Sequence, residues 1–217
     1  MNSIFIEGVC GTGKTTLIKA LANLLPALTL PELPEFNRGL LHPFDNRLDI
    51  QFNFINDLSH EAVREAIYSS ELIKNIDFVI ADRSYISLVA LALSMEDYLG
   101  REFVLSLIDS IIDGINTSAY HVPDKIIVLQ AKYQSIYERN ISKSKKLDLI
   151  WFDEDRIKLQ TMFYNFLIEN KLAFPVSTEQ GMDMSVNQSI QICNSQGDGL
   201  DKEKIIIGLK RYQQILR

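Results

Sequence analysis

Cysteines and long apolar runs are scarce in this sequence, and their scarcity excludes several classes of protein. Cys10 and Cys193 are the only cysteines among 217 residues, so no disulfide framework is expected and a reducing cytoplasm is favoured. No apolar run approaches the roughly 20 residues that a membrane span needs. The first residues also lack the charged-then-apolar pattern of a signal peptide. We therefore expect a cytoplasmic protein without a membrane partner.

A long basic run is absent as well. The formal net charge is −6, with 22 Lys and Arg residues against 28 Asp and Glu residues. Nucleic-acid-binding proteins usually present a basic surface, so this balance argues against a nucleic-acid partner. A nucleotide ligand stays open, because it needs only a local group of cations and backbone N–H groups. The three histidines, His42, His60 and His121, show no metal-ligand spacing.

The sequence does contain a regular alternation of apolar, strand-like runs and helical patterns. The predicted strands are residues 3–7, 27–30, 77–82, 125–130 and 189–193, the last within an edge strand and loop at 177–199. The predicted helices are residues 14–25, 47–74 (one or two helices), 101–120, 153–172 and 201–216. This order predicts an α/β fold with a parallel sheet of about five strands and helices on both faces. No repeat or linker divides the chain, so we expect one domain over 1–217.

The most informative segment is the glycine-rich stretch GVCGTGKT at residues 8–15, which matches G-x-x-x-x-G-K-[ST] in full. A predicted strand precedes it and a predicted helix comes directly after it, which is the context of a phosphate-binding P-loop. Lys14 would reach the β- and γ-phosphates of ATP, and the Thr15 hydroxyl would bind Mg²⁺. The residues expected to bind the nucleotide are Gly8, Val9, Cys10, Gly11, Thr12, Gly13, Lys14, Thr15 and Thr16.

A second candidate element, Asp82-Arg83-Ser84, lies at the end of the apolar strand 77–82. Ligands of parallel α/β sheets lie beyond the carboxyl ends of the strands, where both Asp82 and the glycine loop are expected. Asp82 would hold Mg²⁺, and Arg83 would bind an acceptor phosphate or the transferring phosphoryl group. The structural alternative is that Asp82 caps the next helix and Arg83 lies on the surface.

The residues after the strand 125–130 narrow the class of P-loop protein. A GTPase would place Asn-Lys-x-Asp there, whereas this chain has Ala-Lys-Tyr-Gln. A translocating motor ATPase would usually be longer and more basic. A chain of this length is therefore best suited to a small-molecule kinase.

Three segments resemble one family of such kinases. The stretch IEGVCGTGKTT resembles the opening of thymidylate kinases, and ADRSYISLVAL resembles their Asp-Arg-Tyr segment. The triplet Asp-Arg-Ser is closer to the Glu-Arg-Ser of the related deoxynucleoside kinases. The stretch KIIVLQAKYQSIYERNISKSKK resembles the strand and helix that lead into the family's mobile lid. The resemblance spans residues 4–172 and implies the P-loop NTP-hydrolase fold.

On the donor side, the resemblance places Arg139 at the arginine that precedes the lid, and it implies that this residue is catalytic. The lid itself would cover approximately residues 140–152. Lys143, Lys145 and Lys146 would belong to it, or would form the exposed face of a helix.

The acceptor side departs from thymidylate kinases, which carry an Arg-Glu-Pro-Gly-like stretch where this chain has LPELPEFNRG. Deoxynucleoside kinases place a glutamate there as base toward the accepting hydroxyl, and Glu32 or Glu35 would take that role. Arg38 would clamp an acceptor phosphate or pair with a nearby acid.

The same relatives hold the base with a Gln and a Phe on the following helix. In this chain Gln51 and Phe52 are the corresponding candidates, with Phe54 nearby. Their ordinary alternatives are a surface residue for Gln51 and core packing for the two phenylalanines.

The expected activity is transfer of the γ-phosphoryl group of ATP, with Mg²⁺, to a nucleoside or a nucleoside monophosphate. A kinase for another small molecule, such as a sugar or secondary metabolite, is the alternative among enzymes. A nucleotide-dependent switch or assembly ATPase is the alternative from another class. A homodimer is left open.

Overall fold

Five parallel strands form the sheet in the part of the chain that the computed structural model describes, residues 1–32, 46–142, 153–195, 197 and 199–217. The strands are β1 (Asn2–Glu7), β2 (Ala27–Leu30), β3 (Phe78–Asp82), β4 (Lys125–Gln130) and β5 (Phe174–Ser177). Their order in the sheet is β2-β3-β1-β4-β5, and every neighbouring pair is parallel. The predicted five-stranded parallel sheet is therefore confirmed.

Helices surround this sheet. They are α1 (Lys14–Leu24), α2 (Arg47–Tyr68), α3 (Tyr85–Ser94), α4 (Glu96–Leu99), α5 (Arg101–Asn116), α6 (Tyr133–Ser142), α7 (Glu154–Glu169), α8 (Met182–Asn194) and α9 (Lys202–Leu216). A short 3₁₀ turn at Glu71–Ile73 lies between α2 and β3.

Both faces of the sheet are buried, as the unbroken apolar strands predict. Ile4 and Ile6 of β1 point to the face covered by α1 and α8, where Leu17 and Val186 pack. Phe5, between them in sequence, points to the opposite face and packs in the larger cluster formed with α2, α3, α5, α7 and α9. The alternation along β1 results from the period of two in a strand. Helices on both faces are therefore confirmed.

The register of the strands brings the candidate residues to one edge. Ile6 of β1 is paired with Asp82 at the end of β3, so the glycine loop begins beside Asp82 and Arg83. Leu30 at the end of β2 is paired with Ala81, which places Glu32 close to the same point. The carboxyl ends of β2, β3 and β1 therefore converge on one site, as parallel topology requires.

The predicted strand at 189–193 is wrong. These residues belong to α8, in which Val186, Ser189 and Cys193 are buried at helical spacing. The fifth strand is instead Phe174–Ser177, which pairs with β4 at the edge of the sheet. Pro175 in this strand has no N–H donor, and an edge strand tolerates that loss. A proline also argues against a strand when only the sequence is read, so the sequence prediction missed this one.

The remaining element predictions differ from the structure mainly at their ends. The segment 47–74 forms one helix, α2, and then the 3₁₀ turn. The predicted helices 101–120 and 153–172 end at Asn116 and Glu169. The lid at 140–152 lies outside the described residues from 143 onward. In the described ranges, no helix combines the length and apolar character of a membrane span.

Candidate active site

The glycine loop joins β1 to α1 in a conformation that requires glycine. Gly8 has φ of 133°, and a Cβ there would lie 2.7 Å from the Leu129 carbonyl oxygen. Gly11 has φ of 89°, and a Cβ there would lie 2.6 Å from Asn140 Oδ1. A larger residue at either position would therefore be strained by its backbone and would clash with a neighbour.

The first turn of α1 is suited to an anion. No side chain in the described ranges caps this helix, and no acid lies in its first turn. Its leading N–H groups have no partners within the helix, and the helix dipole adds partial positive charge at this end. A phosphate held by these N–H groups would supply the missing acceptors.

Some of the other loop residues are buried or half-buried, and others are exposed. Val9 is buried, and its carbonyl accepts a hydrogen bond of 2.8 Å from Thr12 Oγ1. Cys10 is half-buried, with its Sγ 3.9 Å from Asn140 Oδ1. Thr15 and Thr16 are exposed at the start of α1. Their roles toward a nucleotide remain predictions.

Lys14 lies inside the curve of the loop. Its Nζ donates to the carbonyl oxygens of Gly8 at 2.8 Å and Val9 at 3.1 Å. Burial, together with the positive charge of Arg83, lowers the pKa of Lys14 to about 8. Phosphate oxygens would favour the charged form of this amine, so nucleotide binding should raise its pKa again.

This pKa predicts a proton uptake on nucleotide binding. Near pH 8 part of the Lys14 amine is unprotonated in the absence of nucleotide, so binding a triphosphate that raises its pKa should take up a fraction of a proton. The uptake can be measured by titration calorimetry of a non-hydrolysable ATP analogue in buffers of different ionisation enthalpy. Lys14→Arg keeps the charge and cannot titrate, so its uptake should vanish. The same uptake in both proteins would contradict this assignment.

Thr15 and Asp82 form the second part of the site. Thr15 Oγ1 donates to Asp82 Oδ2 at 3.0 Å. Burial raises the pKa of the Asp82 carboxyl, and the charge of Lys14 opposes this. The other oxygen, Asp82 Oδ1, is buried and has no hydrogen-bond partner among the described residues. A hydroxyl beside a carboxylate oxygen that still lacks a partner is a donor set that fits Mg²⁺, since this ion prefers oxygen ligands and binds through one or two protein groups plus phosphate.

Arg83 comes directly after Asp82 and turns into the cleft. Its φ is 63°, in the left-handed region. Its Nη1 donates to the Gly8 carbonyl oxygen at 3.3 Å and to Ser87 Oγ at 3.3 Å, and its Nε forms an ion pair with Glu32. Although burial opposes it, the charge of Glu32 raises the pKa of Arg83 above its ordinary value. The surface alternative for Arg83 is therefore wrong.

Of the two glutamates after β2, the structure describes Glu32. Its carboxylate pairs with Arg83, and about a third of its side chain is exposed. Burial opposes ionisation of Glu32, but the charges of Arg83 and Lys14 outweigh burial and hold its pKa below the ordinary value. Glu32 is therefore an ionised hydrogen-bond acceptor beside Arg83, close to the glycine loop. Glu35 and Arg38 lie outside the described residues.

Arg139, on α6, also reaches the glycine loop. Its Nη1 donates to Thr178 Oγ1 at 2.9 Å and to the Gly11 carbonyl oxygen at 3.5 Å, and its Nη2 donates to the Thr178 carbonyl at 3.2 Å. These contacts place it between the glycine loop and the segment after β5. Lys143, Lys145 and Lys146 lie outside the described residues.

Gln51 and Phe52 lie near the start of α2. The Gln51 side chain donates to the Leu99 carbonyl oxygen at 3.4 Å, at the junction of α4 and α5. Phe52 is 50% exposed, while the neighbouring Phe54 is buried in the core. The core alternative therefore holds for Phe54, and the base-holding role of Gln51 and Phe52 stays a prediction.

Sequence reasoning missed a buried network behind Arg83. Glu7, the last residue of β1, accepts hydrogen bonds from Ser84 Oγ at 2.6 Å and from Ser87 Oγ. Ser87 Oγ also lies 3.1 Å from Tyr164 OH on α7. Burial raises the pKa of Glu7 to about 7 against the effect of these hydroxyls. An acid directly before the glycine loop was the one sequence signal that could have revealed it.

Solved structures include proteins whose overall fold is similar to that of this chain. No protein-family model matches the sequence, and no curated protein is significantly similar to it. Among solved structures, deoxyadenosine kinase from M. mycoides with the products dCMP and a flexible dCDP bound matches with a TM-score of 0.66. It is 17% identical and covers 89% of this chain and 100% of its own. The chain has the fold of this kinase.

Two further solved structures also have a fold similar to that of this chain. The same M. mycoides kinase with dATP bound matches at a TM-score of 0.58 and 15% identity, covering 89% of this chain and 100% of its own. Thymidylate kinase from Candida albicans matches at a TM-score of 0.57 and 17% identity, covering 88% of this chain and 90% of its own. The fold that the three sequence segments implied is thereby confirmed.

Proposed function

We propose that the protein is an ATP-dependent kinase that transfers the γ-phosphoryl group to a nucleoside or nucleoside monophosphate. Two findings support the proposal: the loop geometry around Lys14, which suits a phosphate, and a fold shared with a kinase that was solved with deoxynucleotides bound. We also propose that 1–217 forms one catalytic domain in a reducing cytoplasm, which two free cysteines favour. Neither a nucleic acid nor a membrane is proposed as partner, and a homodimer is left open.

The observation that carries the choice of acceptor is the pair of Glu32 with Arg83. An acceptor phosphate would have to displace this carboxylate from the guanidinium and would be repelled by it. A hydroxyl would instead donate to the ionised Glu32 without disturbing the pair. Among nucleosides and nucleoside monophosphates, the site is therefore best suited to an acceptor that presents a hydroxyl, such as a nucleoside.

In the proposed reaction, residues of this site take up the proton that is released and stabilise the phosphoryl group that is transferred. The acceptor oxygen forms a bond to the γ-phosphorus, and the bond from that phosphorus to the bridging oxygen of ADP breaks. Glu32 accepts the proton of the hydroxyl, and Lys14 and Arg83 stabilise the charge on the transferring group. Arg139 would add positive charge from the side of α6.

Mg²⁺ is proposed as the cofactor, held by Thr15 and Asp82. When bound it would neutralise charge on the β- and γ-phosphate oxygens. The hydrogen bond between the two side chains directs the Thr15 hydroxyl toward Asp82 at the start of α1, so both oxygen ligands already lie together.

The proposal is tested by a panel of acceptors. ADP release should rise well above background hydrolysis with at least one nucleoside or nucleoside monophosphate, because a kinase site closes, excludes water and completes its catalytic arrangement only when the acceptor is bound. The panel includes all common deoxy- and ribonucleosides, their monophosphates, and sugars. Stimulation by sugars alone would support a kinase of another class. Slow turnover that no acceptor changes, and that a protein partner changes, would indicate a switch ATPase and would contradict the proposal.

A further inference from the structure

Arg64 on α2 is the largest side chain that the described part of the protein buries completely, with 1% of it exposed. A guanidinium carries five N–H donors and no acceptor. Burying such a group is costly unless its donors find acceptors inside the protein. The partners of Arg64 therefore indicate why the fold tolerates it.

Three main-chain carbonyls and one carboxylate surround this guanidinium. Nη1 donates to the Arg83 carbonyl oxygen at 2.6 Å, and Nη2 donates to the carbonyl oxygens of Asp82 at 3.2 Å and Pro31. Glu61, one turn earlier on α2 and equally buried, accepts a hydrogen bond from Nη1 at 3.4 Å, although burial raises the pKa of its carboxyl to about 7. A rigid planar group that binds all of them fixes their relative positions.

These carbonyls belong to the two strand ends that form the proposed acceptor site. Pro31 directly precedes Glu32 after β2, and Asp82 and Arg83 end β3. Arg64 thus bridges the segment that carries the glutamate and the segment that carries its arginine partner. The side chains of the same two segments form the ion pair of Glu32 with Arg83.

The backbone of Arg83 needs such support. A residue with a Cβ is disfavoured at a φ of 63°, and it persists there only where its surroundings hold it. The Arg83 N–H donates to the Ile6 carbonyl oxygen at 3.1 Å, which anchors one side. Arg64 binds the carbonyl on the other side, so both peptide groups of Arg83 are fixed.

We propose that Arg64 is a positioning residue, which holds Glu32 and Arg83 in the contact that phosphoryl transfer requires; this role rests on the proposed function. Arg64 acts through these two residues and does not touch the substrate, because its Nη groups are occupied by main-chain carbonyls. Lysine cannot replace it, since a single ammonium cannot span three carbonyls in one plane.

The first test compares Arg64→Lys with the wild-type enzyme and its best acceptor. A displacement of Glu32 and Arg83 by a fraction of an ångström should lower kcat by about 10-fold to 100-fold. The Kd of an ATP analogue should change by less than about threefold, because the described main-chain partners of Arg64 lie at the ends of β2 and β3. An equal loss in kcat and in nucleotide affinity would indicate general damage to the fold and would overturn the proposal.

A double-mutant cycle with Arg83→Ala separates positioning from stability. If Arg64 acts through the contact of Glu32 with Arg83, Arg64→Lys should lower kcat less once Arg83 and this contact are absent, so the two effects are not additive. Additive losses would overturn the proposal. Arg156→Lys is the matched control, since Arg156 also donates to a main-chain carbonyl, Ser94 O at 2.7 Å, and pairs with Asp97. Its kcat should stay within about twofold of wild type.

Glu61→Gln covers the case in which Arg64→Lys does not fold. It keeps the shape of the side chain and an acceptor for Nη1 but removes the negative charge that the Glu61 carboxyl carries above its pKa, so kcat is compared at pH 8. A fall in kcat of about threefold or more is expected at an unchanged thermal midpoint, and an unchanged kcat would overturn the proposal. If the wild-type protein transfers no phosphoryl group to any acceptor, the proposed function fails instead, so the two failures are distinguishable.

Discussion

Replacing Lys14 by alanine is expected to abolish most ATP-dependent turnover. The Lys14 amine is buried in the curve of the glycine loop, where water cannot take its place beside the phosphates. Removing a preorganised donor from the charge of a transition state typically lowers kcat on the order of 10²-fold or more. Steady-state kinetics with the best acceptor, together with the Kd of an ATP analogue, measures the loss.

Lys19→Ala is the matched control for this prediction, because Lys19 lies on the same helix with its side chain exposed. Its turnover should stay within about twofold of wild type, as for most surface substitutions. Both variants should keep the thermal midpoint within a few degrees. Near-normal turnover in a folded Lys14→Ala protein would contradict the kinase proposal as a whole.

Substitution of Glu32 by glutamine is expected to have the second large effect. The amide cannot take the proton of an accepting hydroxyl, and it no longer pairs with the charge of Arg83. Loss of a positioned general base typically lowers kcat by about 10²-fold to 10⁴-fold. The KM for ATP should change much less, because Glu32 lies after β2 and is not part of the glycine loop. The measurement is kcat and both KM values with a nucleoside acceptor.

Three variants complete this experiment. Glu71→Gln, at a carboxylate that is 80% exposed, should leave kcat unchanged. Glu35→Gln tests the other glutamate that the sequence offers. If the acceptor already carries a phosphate, Arg83→Ala should raise the acceptor KM steeply, and the kcat of Glu32→Gln should hardly change. An unchanged kcat in both glutamate variants would remove the hydroxyl-orienting role.

The glycine loop could be predicted from sequence because all its determinants lie within eight consecutive residues between a strand and a helix. Gly8, Gly11 and Lys14 are fixed by local backbone geometry and by their spacing, so the structure added distances and no new residues. The position of Asp82 beside the glycine loop was predictable for a similar reason, because the carboxyl ends of parallel strands lie at one edge of the sheet.

The choice between Glu32 and Glu35 could not be made in that way. Both lie after β2, and nothing in their local sequence separates them. Glu35 lies outside the described residues, and the partner of Glu32 is Arg83, which comes from a different strand and is about fifty residues away in the chain. The pairing depends on β2 and β3 being neighbours in the sheet, and sheet order is a property of the whole fold.

Arg64 was missed for the opposite reason, because its local sequence is misleading. A charged residue in a long helix of mixed polarity is normally exposed. Here its partners are carbonyl groups, which every residue carries and no sequence pattern identifies. The error at 189–193 is similar, since a short apolar run fits either a strand or a helix until its tertiary partners are known.

The central claim is that the γ-phosphoryl group of ATP moves to an organic acceptor rather than to water. The most direct measurement is to incubate the protein with ATP labelled in its γ-phosphate, Mg²⁺ and each nucleoside or nucleoside monophosphate, and to identify the labelled product by chromatography and mass spectrometry. We expect label in a phosphorylated nucleoside or nucleotide, with a nucleoside as the preferred acceptor, and loss of this labelled product in Lys14→Ala. Label that appears only as inorganic phosphate, at the same rate with and without every acceptor, would contradict this claim.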